Sequence, residues 1–278
     1  MAMQRSPSSF ALAVLKWLSI SLFLFLTLYP LALMFMGSFK NQIEIIKHPW
    51  FFTLPLRFGN YGKAFAQIIQ PIFNSVVVTA CVIALTLVVS SLAAFAFARY
   101  EFPGKNLLYL GILAMLMIPG FVLLIPQFIT ITRMGMFNTF AGLIFPPAAF
   151  SAAIATNLMR ASFHSIPASL YEAAEIEGAG DLKVFLTIAV PLSKAIFATV
   201  AIITGLSAWN NFIWPLVSTS GEKVRQIAVA LTLLKGNIQE GNGVVYAGYS
   251  IAAIPMITLF MFSSKYFIAG LTQGAVKS

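Results

Sequence analysis

An all-α integral membrane fold with six transmembrane helices is what this sequence predicts, on three observations. Of its 278 residues, 59% are hydrophobic, only 9% are charged and 26 are phenylalanine. The mean hydropathy is +0.90, whereas ordinary soluble domains are roughly 45 to 50% apolar. Apolar runs of about 20 residues, enough to cross a bilayer as a helix, recur at 12–36, 73–98, 107–131, 137–159, 195–216 and 248–267. None alternates residue by residue, so they read as helices and not as strands of a closed barrel. The whole of 1–278 is expected to form a single membrane domain, with no solenoid repeat or low-complexity tract.

The first run follows Arg5 and Lys16 but is too long for a secretory leader and lacks a small-residue cleavage site, so it is expected to remain as a span. Pro30 should kink it, and Pro119 and Pro126 should kink or interrupt the third. Between the first two runs lies His48-Pro49-Trp50-Phe51-Phe52, a cluster of the kind that more often anchors at lipid headgroups than binds a ligand. In the second run Cys81 stands alone, has no disulfide partner in the chain, and is expected to be buried and fill space. Asn74, Ser75, Ser90, Ser91 and Asn157 suit hydrogen bonds between helices. Asn210 and Asn211, flanked by Trp209, Phe212 and Trp214, have two readings: a solute path in which rings cover C–H surfaces and amides bond hydroxyls, or an interfacial aromatic belt. The segment 217–247, with Gly221, Gly236, Gly241 and Gly243, reads as turns and short interfacial structure.

Four of the eight acidic residues fall in 171–181. A charge at the hydrocarbon centre costs about 2.5 to 3.5 kcal/mol, so this island lies outside the bilayer. Ser169 and Glu172 have the spacing of a capping box, and Pro167 suits a first helical turn. The helix they begin should carry Ala173 and Ala174 side by side and stop at Gly178 and Gly180, with Asp181 capping the next helix toward Pro191. Glu172 and Glu175 then offer charge-assisted bonds to a partner's arginine or lysine. The competing reading is a loop that is polar only because it is wet.

Other chemistries lack support. The net charge of +9 is scattered singly over the loops, which suits a membrane surface and not nucleic acid. Gly104-Lys105 is followed by Asn106, so no phosphate-cradling loop exists and the chain does not hydrolyse ATP. His48 and His164 stand apart without metal-ligand spacing, and no serine sits in a nucleophile elbow. No aspartate or glutamate lies within a span, and Lys16 and Lys265 lie near span ends where they can snorkel, which argues against an ion-coupled transporter. A channel or self-contained facilitator is the rival class. Arg99 and Lys105 in the shortest loop orient both termini, and the acidic island, toward the cytoplasm.

The segment Glu172-Ala173-Ala174, three residues, Gly178, nine residues, Ile188, one residue, Val190-Pro191 resembles the EAA loop of bacterial ABC importer permeases, with Val190 where leucine is usual. Ala98-Arg99-Tyr100-Glu101-Phe102-Pro103-Gly104-Lys105, Met117-Ile118-Pro119, 209–216 (Trp-Asn-Asn-Phe-Ile-Trp-Pro-Leu) and the closing 270–277 resemble MalG-type carbohydrate permeases, although an acidic residue is common where Asn211 stands. The resemblance implies a type I importer permease of the bacterial cytoplasmic membrane, transporting oligosaccharides or sugar-like solutes; permeases for other solutes also carry the loop. It implies that Glu172, Ala173, Ala174 and Gly178 lie in a coupling loop at about 165–191 that docks on a cytoplasmic ABC ATPase dimer. It further implies a second, MalF-like permease and an extracytoplasmic solute-binding protein as partners. ATP and magnesium would be bound by the ATPase, leaving this chain without a cofactor or catalytic residue. Asn210, Asn211 and Trp209 are the candidate solute-path residues.

Overall fold

The computed structural model describes the backbone over 7–236 and 241–275 and the side chains over 12–236 and 241–261. Arg5, Lys265 and the closing 270–277 stretch, used above for orientation, snorkelling and resemblance, lie outside the described side chains. All regular structure among the described residues is helical.

In chain order, α1 (Pro7–Gly37) runs through Pro30 without a break and is followed by the short α2 (Gln42–Lys47). Asn41 and Glu44 form the reciprocal cap of α2: each side-chain oxygen accepts the other residue's backbone N–H at 2.8 Å. The helix α3 (Gly59–Arg99) has 41 residues, about 60 Å of rise against roughly 30 Å of hydrocarbon. It therefore begins well before the apolar run at 73. The third run is broken: α4 (Lys105–Met115) gives way at Pro119 to a tight turn over Gly120–Leu123 and α5 (Leu124–Arg133), and the two limbs meet at 96°. Pro126 does not interrupt α5, because it stands in the first turn, where no helical acceptor awaits its missing N–H. Thr139 accepts the Gly142 N–H at 3.2 Å and so caps α6 (Phe140–His164).

The acidic island forms α7 (Ala168–Ile176) and α8 (Asp181–Val184). A π turn over Phe185–Ala189 and the single turn α9 (Val190–Leu192) follow, and this limb meets α10 (Lys194–Trp209) at 78°. After α10 come α11 (Ile213–Ser218), α12 (Ile227–Gly236) and α13 (Asn242–Ala275). The fifth apolar run, 195–216, is thus interrupted after Trp209. Four helices are long and apolar enough to cross a membrane, at Leu12–Gly37, Gly59–Arg99, Phe140–His164 and Asn242–Met261, and the two bent pairs raise the number of crossings to as many as six.

The chain divides into two compact units. In the first, residues 1–68 with 231–252, backbones come very close: a Cβ on Gly243 would lie 2.0 Å from the Lys40 carbonyl oxygen. Asn60 Nδ2 donates to that same carbonyl at 2.9 Å and to the Ser38 carbonyl at 2.8 Å. Lys40, counted in the sequence only as one scattered charge, is buried, and its Nζ donates to the His48 and Pro49 carbonyls at 2.7 and 3.4 Å. Desolvation lowers its pKa, opposed in part by the charge of Glu44. The lysine fixes the base of the aromatic cluster, whose Trp50, Phe51 and Phe52 remain exposed.

In the second unit, residues 69–230 with 253–278, span polar groups serve packing. Asn74 Nδ2 donates to the Lys223 and Arg225 carbonyls at 3.1 and 2.9 Å, Ser75 Oγ accepts the Ile227 N–H at 2.8 Å, and Ser90 Oγ donates to the Ala152 carbonyl at 3.3 Å. In an apolar medium such bonds replace water that is not there. Cys81 corrects an expectation: it is free but exposed, because it falls on the outward side of α3, one residue from buried Val82.

Candidate functional site

The candidate residues of the second unit fall in two places: an anchored helix at one end of α6 and α10, and a cavity at the other.

The anchored helix is α7. Its start differs from expectation. Pro167 occupies the N-cap with extended backbone, so the helix begins at Ala168, Ser169 becomes the second helical residue, and no side-chain cap forms. Asp181 likewise is the first residue of α8 rather than its cap, a place taken by Gly180. The exit is as expected. Gly178 adopts φ +77°, the Ala179 N–H donates to the Ala174 carbonyl and the Gly178 N–H to the Glu175 carbonyl, both at 2.9 Å. These two bonds satisfy carbonyls that the helix end would otherwise orphan.

Helix α7 is bolted to its surroundings on one side. Tyr171, Phe95, Phe163 and Phe185 form a buried aromatic cluster, with Phe95 edge-on to the other three at 5.3 to 6.3 Å. Ala174 and Ala179 pack against it. At the rim the Arg99 guanidinium pairs with Glu175 and lies 5.0 Å from the Tyr171 ring centre. The carboxylate expected to await a partner is therefore already engaged, because the end of α3 delivers a cation beside it. Half exposed, that pair contributes about 0 to 1 kcal/mol, so its worth is positional.

Tyr100 adds a second tie, its hydroxyl interacting with the Asp181 carboxylate. Burial, then the bond to Asp181 and that carboxylate's charge, push the phenol up to about 12. A raised folded-state pKa contributes stability that is complete below the ordinary phenol range near 10 and is lost as pH rises from there through 12. Asp181→Asn is expected to lower the Tyr100 pKa, read by ultraviolet difference titration against Tyr100→Phe.

The opposite side of α7 is free. Glu172, Ala173 and Gly178 are exposed and Ala174 is half-buried, so the two alanines do not share a face. Ile176 is 87% exposed on the same outward side as Glu172 and Ala173, which are one helical turn away. A small, apolar and acidic knuckle results. The sequence missed its supports, Arg99, Tyr100 and Phe163. The available signal was the Arg99-Tyr100 pair at the end of an apolar span, read only as orientation charge.

The cavity, about 590 Å³, lies where α5, α6 and the end of α10 meet. Asn210, Asn211, Phe212 and Trp214 line it together with Gln127, Phe150, Ser151 and Ser207. Trp209 does not line it; its ring is buried. Asn210 donates Nδ2 to the Leu206 carbonyl at 2.9 Å, and Asn211 Oδ1 accepts the Trp214 N–H at 3.3 Å. Along α6, Phe150 of the cavity and Phe163 of the aromatic cluster are about 20 Å apart. Among the described residues, no group of three or more His, Cys, Asp or Glu is arranged to hold a metal ion.

The helices are long and apolar enough for a multi-pass membrane protein in which two of the crossings are broken. Residues 86–273 match the family described as binding-protein-dependent transport system inner membrane component, and the chain belongs to that family. It is a permease component of an ABC-type importer, a non-catalytic membrane subunit. The probable ABC transporter permease protein YurM of Bacillus subtilis is 36% identical over 94% of this chain and 87% of its own. The arabinooligosaccharides transport system permease protein AraQ of Halalkalibacterium halodurans is 32% identical over 95% and 97%. A chain of the crystal structure of a bacterial ABC transporter involved in the import of the acidic polysaccharide alginate superposes with a TM-score of 0.84, at 22% identity, over 96% of this chain and 100% of that one.

Proposed function

We propose that the chain is a permease subunit for oligosaccharides or sugar-like solutes and that the outward face of α7 couples its spans to a cytoplasmic ATPase dimer. On this reading 1–278 acts as one transmembrane permease domain, with a coupling segment at about 165–191. A second, MalF-like permease completes the channel, an extracytoplasmic solute-binding protein delivers the solute, and ATP with magnesium is bound by the ATPase. Both termini and α7 face the cytoplasm. Glu172, Ala173, Ala174 and Gly178 form the coupling element, and Asn210 and Asn211 face the solute.

The observation that carries this reading is the asymmetry of α7: it is fixed on one side by buried rings and the Arg99–Glu175 pair, and bare on the other. A lever must be stiff toward the helices it moves and open toward what pushes it. Relatives named for arabinooligosaccharide, melibiose, raffinose and stachyose, and lactose transport support the solute class.

The test uses the transporter reconstituted with its ATPase, sister permease and binding protein. Glu172→Lys reverses the charge of the outward face, and Gly178→Pro cannot adopt the positive φ that ends the helix. Both variants are expected to insert and assemble while solute uptake falls at least tenfold. Normal uptake in both would overturn the coupling role.

A further inference from the structure

The cavity at α5, α6 and α10 carries a feature that the candidate amides do not explain. Several hydroxyls in the helices are taken up by the backbone: Ser19, Thr130, Thr132, Thr199 and Thr258 each donate to the carbonyl four residues back, at 2.8 to 2.9 Å, whereas Thr79 in α3 has no partner. Ser151 and Ser207 could do the same and do not; neither makes a hydrogen bond among the described residues, and nor does the Gln127 amide. All three line the cavity. Gln127 and Ser151 are half-buried and Ser207 is exposed, so all three present unengaged polar atoms to whatever enters the cavity. Asn210, whose Nδ2 bonds Leu206, keeps its amide oxygen available beside them.

The second feature is charge. Fourteen residues line the cavity, and none is Asp, Glu, Lys, Arg or His. Its apolar wall includes Phe121, Phe150, Phe212 and Trp214. An anion entering this wall would shed water and meet no counter-ion from this subunit, which is the costly case for burial. A neutral polyol loses less: rings cover its C–H faces, while amides and hydroxyls replace water at its hydroxyls. The fold does not dictate this choice, since it is shared with a transporter of an acidic polysaccharide.

We infer that Gln127, Ser151 and Ser207, with Asn210, form a binding wall for an uncharged saccharide, and that this subunit discriminates against uronic-acid oligosaccharides. The inference rests on the saccharide reading proposed above and narrows it.

The experiment uses the reconstituted complex in a Cys81→Ala background, which removes the chain's single cysteine. Ser207→Cys is alkylated with a water-soluble thiol reagent, with or without neutral arabino-, malto- and galacto-oligosaccharides or alginate-derived oligouronates, and uptake of the same probes is measured separately. At least one neutral series is expected to be imported and to slow alkylation severalfold, while oligouronates do neither. Gln127→Leu with Ser151→Ala, checked for assembly by gel filtration with the partner subunits, is expected to lower neutral uptake at least tenfold and chiefly through KM. Import of oligouronates with protection of the cysteine would overturn the charge inference and leave the saccharide reading standing. Neutral uptake without protection, or unchanged in the double variant, would overturn the assignment of the wall alone. Import of no saccharide at all would remove the saccharide reading itself, and the inference with it.

Discussion

Phe163→Ala is expected to uncouple the transporter while leaving the chain in the membrane. The ring is 1% exposed and sits among Phe95, Phe185 and Phe197, with ring centres 6.2 to 6.4 Å away. Removing a buried phenylalanine ring costs about 3 to 5 kcal/mol, from lost burial together with the cavity that rigid neighbours cannot refill. Insertion should survive, because hydropathy over the 25 residues of α6 decides insertion and one ring is a small share of it. Anchorage should not. Tyr171 donates to the Phe163 carbonyl and shares its cluster, so the buried side of α7 loses its seat. The expected result is a lower melting temperature in detergent, faster proteolysis within 165–191, and fewer solute molecules moved per ATP hydrolysed. Phe163→Leu, which keeps much of the volume, should fall between. Unchanged stoichiometry in Phe163→Ala would mean that α7 does not need its aromatic seat to transmit force.

The difference between what could be read in the chain and what could not follows from sequence distance. The helix, glycine turn and second helix over 168–184 were legible because each signal is local: a proline at the first start, a glycine free to take positive φ, and an aspartate at the second start. The caps failed for an equally local reason: the first helix starts two residues before a Ser169 cap would allow, and the second one residue before an Asp181 cap would. By contrast, Arg99 and Glu175 are 76 residues apart, and no periodicity in either segment announces their pairing. The break at Pro119 was visible, whereas the break after Trp209 was not, since aromatic residues keep 209–216 apolar while Asn210 and Asn211 end the helix. The early start of α3 was hidden by Asn60, Lys63, Gln67 and Gln70, because a helix outside the hydrocarbon need not be apolar. Gln127, Ser151 and Ser207 were passed over because isolated polar residues in spans usually bond a neighbouring helix. Only the three-dimensional arrangement distinguishes those that do from those that face a cavity.

Gly142→Ala should be the most damaging single methyl group in the second unit. A Cβ there would lie 2.3 Å from the Met136 carbonyl oxygen and 3.2 Å from its carbon, and neither atom can swing aside. Thr139 Oγ1 donates to that carbonyl at 2.7 Å, while the Met136 N–H donates to Ile131 at 2.8 Å. The clash must therefore be relieved by moving the start of α6. That movement reaches the cavity through an uncommon bond. The Gly142 carbonyl would ordinarily accept from the residue four places on, but Pro146 has no N–H to give. Trp214 supplies the donor: its Nε1–H reaches the carbonyl at 2.9 Å, with the indole buried and forming part of the cavity wall. Displacing Gly142 thus displaces Trp214. The expected cost lies at or above the upper end of the roughly 1 to 3 kcal/mol typical of overpacking, with loss of uptake. Trp214→Phe isolates the second half of the argument by leaving the backbone unstrained and the carbonyl unpaired, a penalty of about 1 to 3 kcal/mol. Because both changes act on one hydrogen bond, the double variant should cost less than the sum of the two. Melting temperatures of the assembled transporter in detergent measure all three. A Gly142→Ala protein that melts with the parent, or a double variant that is strictly additive, would show that Trp214 is held in place by packing alone and not by the carbonyl that Pro146 leaves free.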